Sequence, residues 1–84
     1  MNYYKLNKNV YYEWVEGAEV IDESEYIRIT NILNEIEKLK RTLAKTDYRA
    51  LKYAEGYYTE EEYKPYKTLR QELRDEINHL ESQI

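Results

Sequence analysis

The period of the apolar positions changes once along this chain, near residue 22. Before that point, aromatic and β-branched residues gather in two short runs, residues 2–6 and 10–15, as in half-buried strands. Beyond it, Ile29, Ile32, Ile36, Leu39 and Leu43 recur at steps of three and four, the spacing of a helix with a coiled-coil-like apolar seam. Ile27 and Leu33 broaden that stripe, and Glu35, Glu37, Lys38, Lys40 and Arg41 fill the opposite, solvent-facing side. A second stripe, Leu69, Leu73, Ile77, Leu80 and Ile84, follows Gly56, with Leu69 and Tyr66 slightly out of the a/d phase of the rest. The pattern predicts a mainly α chain, an antiparallel helical hairpin preceded by a small N-terminal β-hairpin or meander. Residues 1–21 form the strand segment and 22–84 the hairpin, with helices over 23–55 and 60–83 and a turn at 56–58.

A helix-start signal is written twice. Asp22 and Thr59 are capping residues, each followed three places on by a glutamate, Glu25 or Glu62, in the layout of a capping box. The flanking pairs Ile21–Tyr26 and Tyr58–Tyr63 have hydrophobic-staple spacing. Gly56 stands where a left-handed residue closes a helix. The apolar phase carries through Thr46, Ala50 and Tyr53, which favours one continuous helix to Glu55; a kink with a fresh cap at Thr46-Asp47 is the alternative. Pro65 lacks the N–H that would bond to Glu61, so the second helix either bends there or begins there after one capped turn.

In the strand segment, Asn7-Lys8-Asn9 reads as a hairpin turn, because Asn tolerates left-handed backbone angles. Gly17 supplies a second turn before residues 18–21. Alternation puts Val10, Tyr12 and Trp14 on one face and Tyr11 and Val15 on the other. Both faces are partly apolar, more than a lone hairpin can use in water.

Composition sharpens the picture. Charged residues are 36% of an 84-residue chain and mean hydropathy is −0.99, while tyrosine replaces phenylalanine altogether, 11 against 0. A single thin core follows, with rings at packing edges, and small scaffolds of this kind gain stability from a staple or from self-association. With no cysteine and one histidine, neither a disulfide nor an ordinary zinc site is that staple. The formal net charge of −4 argues against nucleic acid, and Lys38, Lys40, Arg41 and Lys45 are interleaved with Glu35 and Glu37. No apolar run is long enough to span a bilayer and no signal peptide is visible, so the expected location is a cytosol or a larger particle assembled there.

A search for chemistry returns little. Glu60, Glu61 and Glu62 occupy a first helical turn, where negative charge complements the helix dipole. His79 has no second histidine or cysteine to join it in holding a metal. Asp22-Glu23-Ser24-Glu25 lacks the glycine and alternating ligands of a calcium loop. No catalytic, metal, cofactor or small-molecule site is expected. The aromatic group Tyr3, Tyr4, Tyr11, Tyr12 and Trp14 is the surface that carries a functional expectation. It is either a local core against the helices or a docking patch, since interfaces are enriched in Tyr and Trp.

Residues 43–56, LAKTDYRALKYAEG, and 59–78, with Thr59-Glu60-Glu61-Glu62-Tyr63-Lys64-Pro65-Tyr66-Lys67 and Arg70-Gln71-Glu72-Leu73-Arg74-Asp75-Glu76-Ile77-Asn78, resemble the C-terminal segment of small tail-region proteins of bacteriophages and prophages, particularly from Firmicutes. The opening Met1-Asn2-Tyr3-Tyr4-Lys5 with Val10-Tyr11-Tyr12 is similar, more loosely, to the start of phage tail-fibre assembly proteins, whose larger middle domain is absent here. The resemblance implies a non-enzymatic structural or assembly part of a tail, tail fibre or tailocin. It would associate with itself or with a tail or fibre protein, and be made in the bacterial host cytoplasm before entering a virion or tailocin particle. A small phage-encoded regulator or inhibitor that binds a host protein is the alternative.

Overall fold

The computed structural model describes residues 2–84. Three strands, β1 (Tyr3–Leu6), β2 (Asn9–Tyr11) and β3 (Glu19–Ile21), precede three helices, α1 (Glu23–Lys45), α2 (Asp47–Ala54) and α3 (Glu60–Glu81). The fold is the expected one, mainly helical with a small antiparallel sheet in front. The molecule is a rod of 55 × 19 × 15 Å, and its radius of gyration is 17.8 Å. A compact chain of this length has a radius of gyration of about 12 Å.

The sheet has order β2-β1-β3, antiparallel throughout. Leu6 pairs with Asn9, so the turn is Asn7-Lys8 alone. Asn7 takes φ 57, the angle for which asparagine is suited. Directly opposed residues share a face. Tyr3 with Ile21 and Lys5 with Val10 thus lie on one face, and Tyr4 with Tyr11 and Val20 on the other. The Tyr3 ring, 4.3 Å from that of Tyr26, shows that the first of these faces is turned to α1. The second strand is shorter than the aromatic run predicts. It ends at Tyr11, and residues 12–18 cross back to β3 through a turn in which the Ala18 N–H donates to the Val15 carbonyl at 3.1 Å. Gly17 sits in that turn at φ 83. Tyr12 and Trp14 are therefore on a connecting loop, and the predicted alternation fails beyond Tyr11. A strand needs a partner along its length, and because β1 begins at Tyr3 its pairing with β2 runs out at Tyr4 with Tyr11.

Asp22 caps α1 by accepting from the Glu25 N–H at 2.8 Å. The carboxylate of Glu25 engages the Arg28 guanidinium rather than reaching back, so this box is half made. At α3 both halves form, with the Glu62 N–H donating to Thr59 Oγ1 at 3.1 Å and the Thr59 N–H to Glu62 Oε1 at 3.0 Å. Gly56, at φ 87, closes α2 in a Schellman arrangement: Tyr57 N–H to Lys52 carbonyl at 2.9 Å and Gly56 N–H to Tyr53 carbonyl at 3.0 Å.

The favoured continuous helix over 23–55 is not what forms. Thr46 interrupts it, closing α1 through its N–H to the Leu43 carbonyl at 3.0 Å and opening α2 by accepting from the Arg49 N–H at 3.0 Å. A contact across the hairpin joins local ones at the break. Arg70 Nη1 donates to Thr46 Oγ1 at 2.6 Å and Asp47 Oδ1 at 2.8 Å, and Thr46 Oγ1 donates to the Leu43 carbonyl at 2.6 Å. Both α1 and α2 pack on α3, which runs back along them through Pro65 without interruption. Pro65 is in the second turn and exposed, so the Glu61 carbonyl it leaves without a helical donor can be met by water.

The core is small. Among the described residues the buried apolar side chains are Ile29, Ile36, Leu73 and Ile77. Ile32, Leu39, Leu43 and Leu80 are half-buried. Leu69, assigned to the seam by its spacing, is 40% exposed, and Arg70 takes the inward place beside it. Ile29, one turn beyond Tyr26, lies in the part of α1 contacted by β1 and β2 and is fully covered.

Candidate functional site

The rod carries exposed aromatic residues at both ends. At the sheet end, Tyr3, Tyr4 and Tyr11 are half-buried, whereas Tyr12 and Trp14 are 65% and 69% exposed. The five residues singled out by composition thus divide. Tyr3 packs on Tyr26, and Tyr4 and Tyr11 pair across the sheet, so these three have structural work. Tyr12 and Trp14 stand out from the loop, around a shallow notch also lined by Val10, Val15 and Tyr26. Val20, on the outward sheet face, is exposed nearby in the fold.

The opposite end, where Tyr57 and Tyr58 at the helical turn raise the same docking question and a staple role is the simpler account of Tyr58, is the richer in rings. Tyr53 and Tyr63 stack at 4.3 Å with planes 10° apart, and Tyr66 lies 6.4 Å from both Tyr58 and Tyr63. Tyr63 therefore meets Tyr53, one helix across. Arg49 is threaded into this group, donating to the Tyr58 hydroxyl at 2.9 Å and lying 4.9 Å over the Tyr66 ring. The hydrogen bond to Tyr58 is the main cause that raises Arg49 above its ordinary pKa. Lys52 sits over Tyr57 at 4.3 Å and Tyr48 at 5.3 Å. Tyr53 and Tyr63 lie five residues to either side of Tyr58, a relation that the helical spacing of the apolar positions does not show.

An open groove between α2 and α3 is floored by Ala50 and Tyr63 and rimmed by both signs of charge, Glu60, Glu61, Lys64 and Lys67. Among the described residues there is no group of three or more histidine, cysteine or acidic side chains placed to hold a metal ion. Among them, too, no helix is long and apolar enough to cross a membrane. The capping residues Asp22, Glu25, Thr59 and Glu62 act on backbone N–H groups or on Arg28, as described above. Exposed aromatic area is thus presented at both ends of the rod, by Tyr12 and Trp14 at one and by Tyr48 and Tyr57 at the other. Compared with known proteins, the chain matches no family model, and no curated protein or solved structure resembles it significantly.

Proposed function

We propose that this chain is a non-enzymatic structural or assembly component of a phage tail, tail fibre or tailocin, docking a tail or fibre protein through the loop that bears Tyr12 and Trp14. One observation carries the docking reading: two large aromatic side chains, 65% and 69% exposed, on a loop where the chain's own core makes no use of them. Trp and Tyr are the residue types that most often dominate binding energy at interfaces. The tail assignment draws on the likeness of residues 43–56 and 59–78 to small tail-region proteins, and a stiff 55 Å rod suits a spacer or clamp in such a particle. The partner is then protein rather than nucleic acid or membrane, and the site of action is the host cytoplasm followed by the assembled particle.

The test is a pair of alanines. Tyr12→Ala with Trp14→Ala should leave thermal unfolding nearly unchanged and abolish incorporation of the chain into particles produced from the parent phage or prophage. Normal incorporation of the folded double variant would remove the docking role. A wild-type chain that is absent from particles and does not affect their yield would remove the tail assignment as well.

A further inference from the structure

Helical geometry divides the hairpin seam into two flanks. On α1 the buried pair Ile29 and Ile36 gives the direction of the core. Ile32, Leu39 and Leu43 lie to one side of that direction, rotated about 30 to 70° at 100° per residue. On α3, Leu69 and Leu80 are rotated about 40 to 60° from Leu73 and Ile77 in the same sense. Because α1 and α3 run antiparallel, equal senses of rotation fall on one face of the hairpin. Tyr26, which holds the sheet through Tyr3, lies on the other flank, as does the Lys40–Glu81 ion pair at 3.4 Å. The sheet thus covers one face only. The opposite face leaves Ile32, Leu39, Leu43 and Leu80 half-buried and Leu69 40% exposed.

We propose that this face binds a second copy of the chain, giving a two-fold symmetric four-helix bundle. Surface area argues for it. The chain exposes 6382 Å² at a mass of 10.3 kDa. A compact monomer of that mass exposes about 5,400 Å². The surplus, about 1,000 Å², is close to the roughly 800 Å² that each partner gives up in a stable interface. A copy is the occupant that fits, because an apolar strip shared by two antiparallel helices is complementary to the same strip after a two-fold rotation, and bundles of four helices are built on such seams. The face is separate from the Tyr12–Trp14 loop, so this inference goes beyond the docking reading and stands or falls apart from it.

Sedimentation equilibrium on the full chain over a concentration series tests the proposal. The expected mass is twice 10.3 kDa. Leu69→Glu adds a charge at a position already 40% exposed, and should return the mass to that of one chain while the helical circular dichroism is kept. Leu51→Glu, on α2 and 60% exposed, should leave the dimer intact. A monomer throughout the series, a trimer, a dimer that survives Leu69→Glu, or one that Leu51→Glu dissociates equally well overturns the proposal. The alanine pair at Tyr12 and Trp14 should dimerise like the parent, which keeps the two readings distinguishable.

Discussion

Arg70 on α3 reaches across the hairpin and donates to the Thr46 hydroxyl at 2.6 Å, 24 positions earlier in the chain. Its side chain is only 12% exposed, and the same nitrogen also meets Asp47 at 2.8 Å. One cation thus organises the end of α1 and the start of α2. Removing it leaves the buried Thr46 hydroxyl without its donor and the Asp47 carboxylate without its charge partner. Arg70→Ala should cost about 1 to 3 kcal/mol in urea unfolding. Thr46→Val removes the other half, and the two changes together should cost less than their sum, by about 1 kcal/mol or more in a double-mutant cycle. Strict additivity would mean that the contact does not hold the break.

That contact also explains what could and could not be read from the sequence. Caps are local: Asp22 and Thr59 speak to N–H groups three residues away, and Gly56 closes a helix through Tyr57 and Lys52, so each is legible in a window of six residues. The interruption at Thr46 is only partly local: a fresh cap at Thr46-Asp47 is the alternative the sequence offers, and Thr46 bonds back to the Leu43 carbonyl. The apolar phase passes through it, and what stops the helix there includes a side chain contributed by α3. Leu69 belongs to the apolar stripe but is slightly out of the a/d phase of Leu73, Ile77 and Leu80, which falls on Arg70, and the Thr46 and Asp47 oxygens make the arginine's inward place tolerable. Of the candidate docking residues, composition named the aromatic group, but register alone separates Tyr3, Tyr4 and Tyr11 from the exposed Tyr12 and Trp14.

The two helix starts provide an internal comparison. Thr59 and Glu62 satisfy each other's N–H groups, whereas Asp22 receives only the Glu25 N–H. Thr59→Ala should destabilise by about 1 kcal/mol. Glu62→Ala should add to the loss of stability by freeing the Thr59 N–H, but Glu25→Ala should leave the Asp22 cap in place. Equal effects of the two glutamates on amide exchange at their cap residues would contradict the difference in geometry.

Glu25 is held below the ordinary glutamate value chiefly by its hydrogen bond from Arg28, with further help from the charges of Arg28 and Lys5. A carboxyl whose folded pKa is depressed contributes stability that is present above the unfolded value and lost as pH falls through the lower folded value. The pair is solvent-exposed, so the expected readout is the titration itself. In an NMR titration Glu25 should deprotonate at a lower pH than a free glutamate side chain, and Arg28→Ala should move it upward. No movement would place the cause elsewhere.

Gly56 and its φ of 87 define a further test, because a Cβ there would meet nothing within 4 Å. Any penalty for Gly56→Ala is therefore backbone strain alone, about 1 to 2 kcal/mol. Gly56→Asn should recover part of it, since asparagine visits left-handed angles more readily. Thermal unfolding of the three proteins should rank Gly, Asn, Ala; an alanine variant as stable as the parent would mean the turn rearranges freely.

Thr30 has the one buried side-chain oxygen or nitrogen, among the described residues, that finds no hydrogen-bond partner. Threonine within a helix commonly returns its hydroxyl to the carbonyl four residues back, as Thr42 does to Lys38 at 3.1 Å. Thr30 forgoes that bond in a half-buried place on the α1 flank that faces the sheet, one residue from fully buried Ile29. Replacing the hydroxyl with a methyl group keeps the shape and the β-branched rotamer while removing an unpaid desolvation. Thr30→Val should therefore raise stability, by about 1 kcal/mol or more. Ile29→Ala, one position earlier, should lower it by about 2 to 5 kcal/mol, since a fully covered side chain leaves a cavity. Opposite signs at adjacent positions are a demanding outcome for urea unfolding to reproduce. A destabilising Thr30→Val would show that the hydroxyl has a partner in solution.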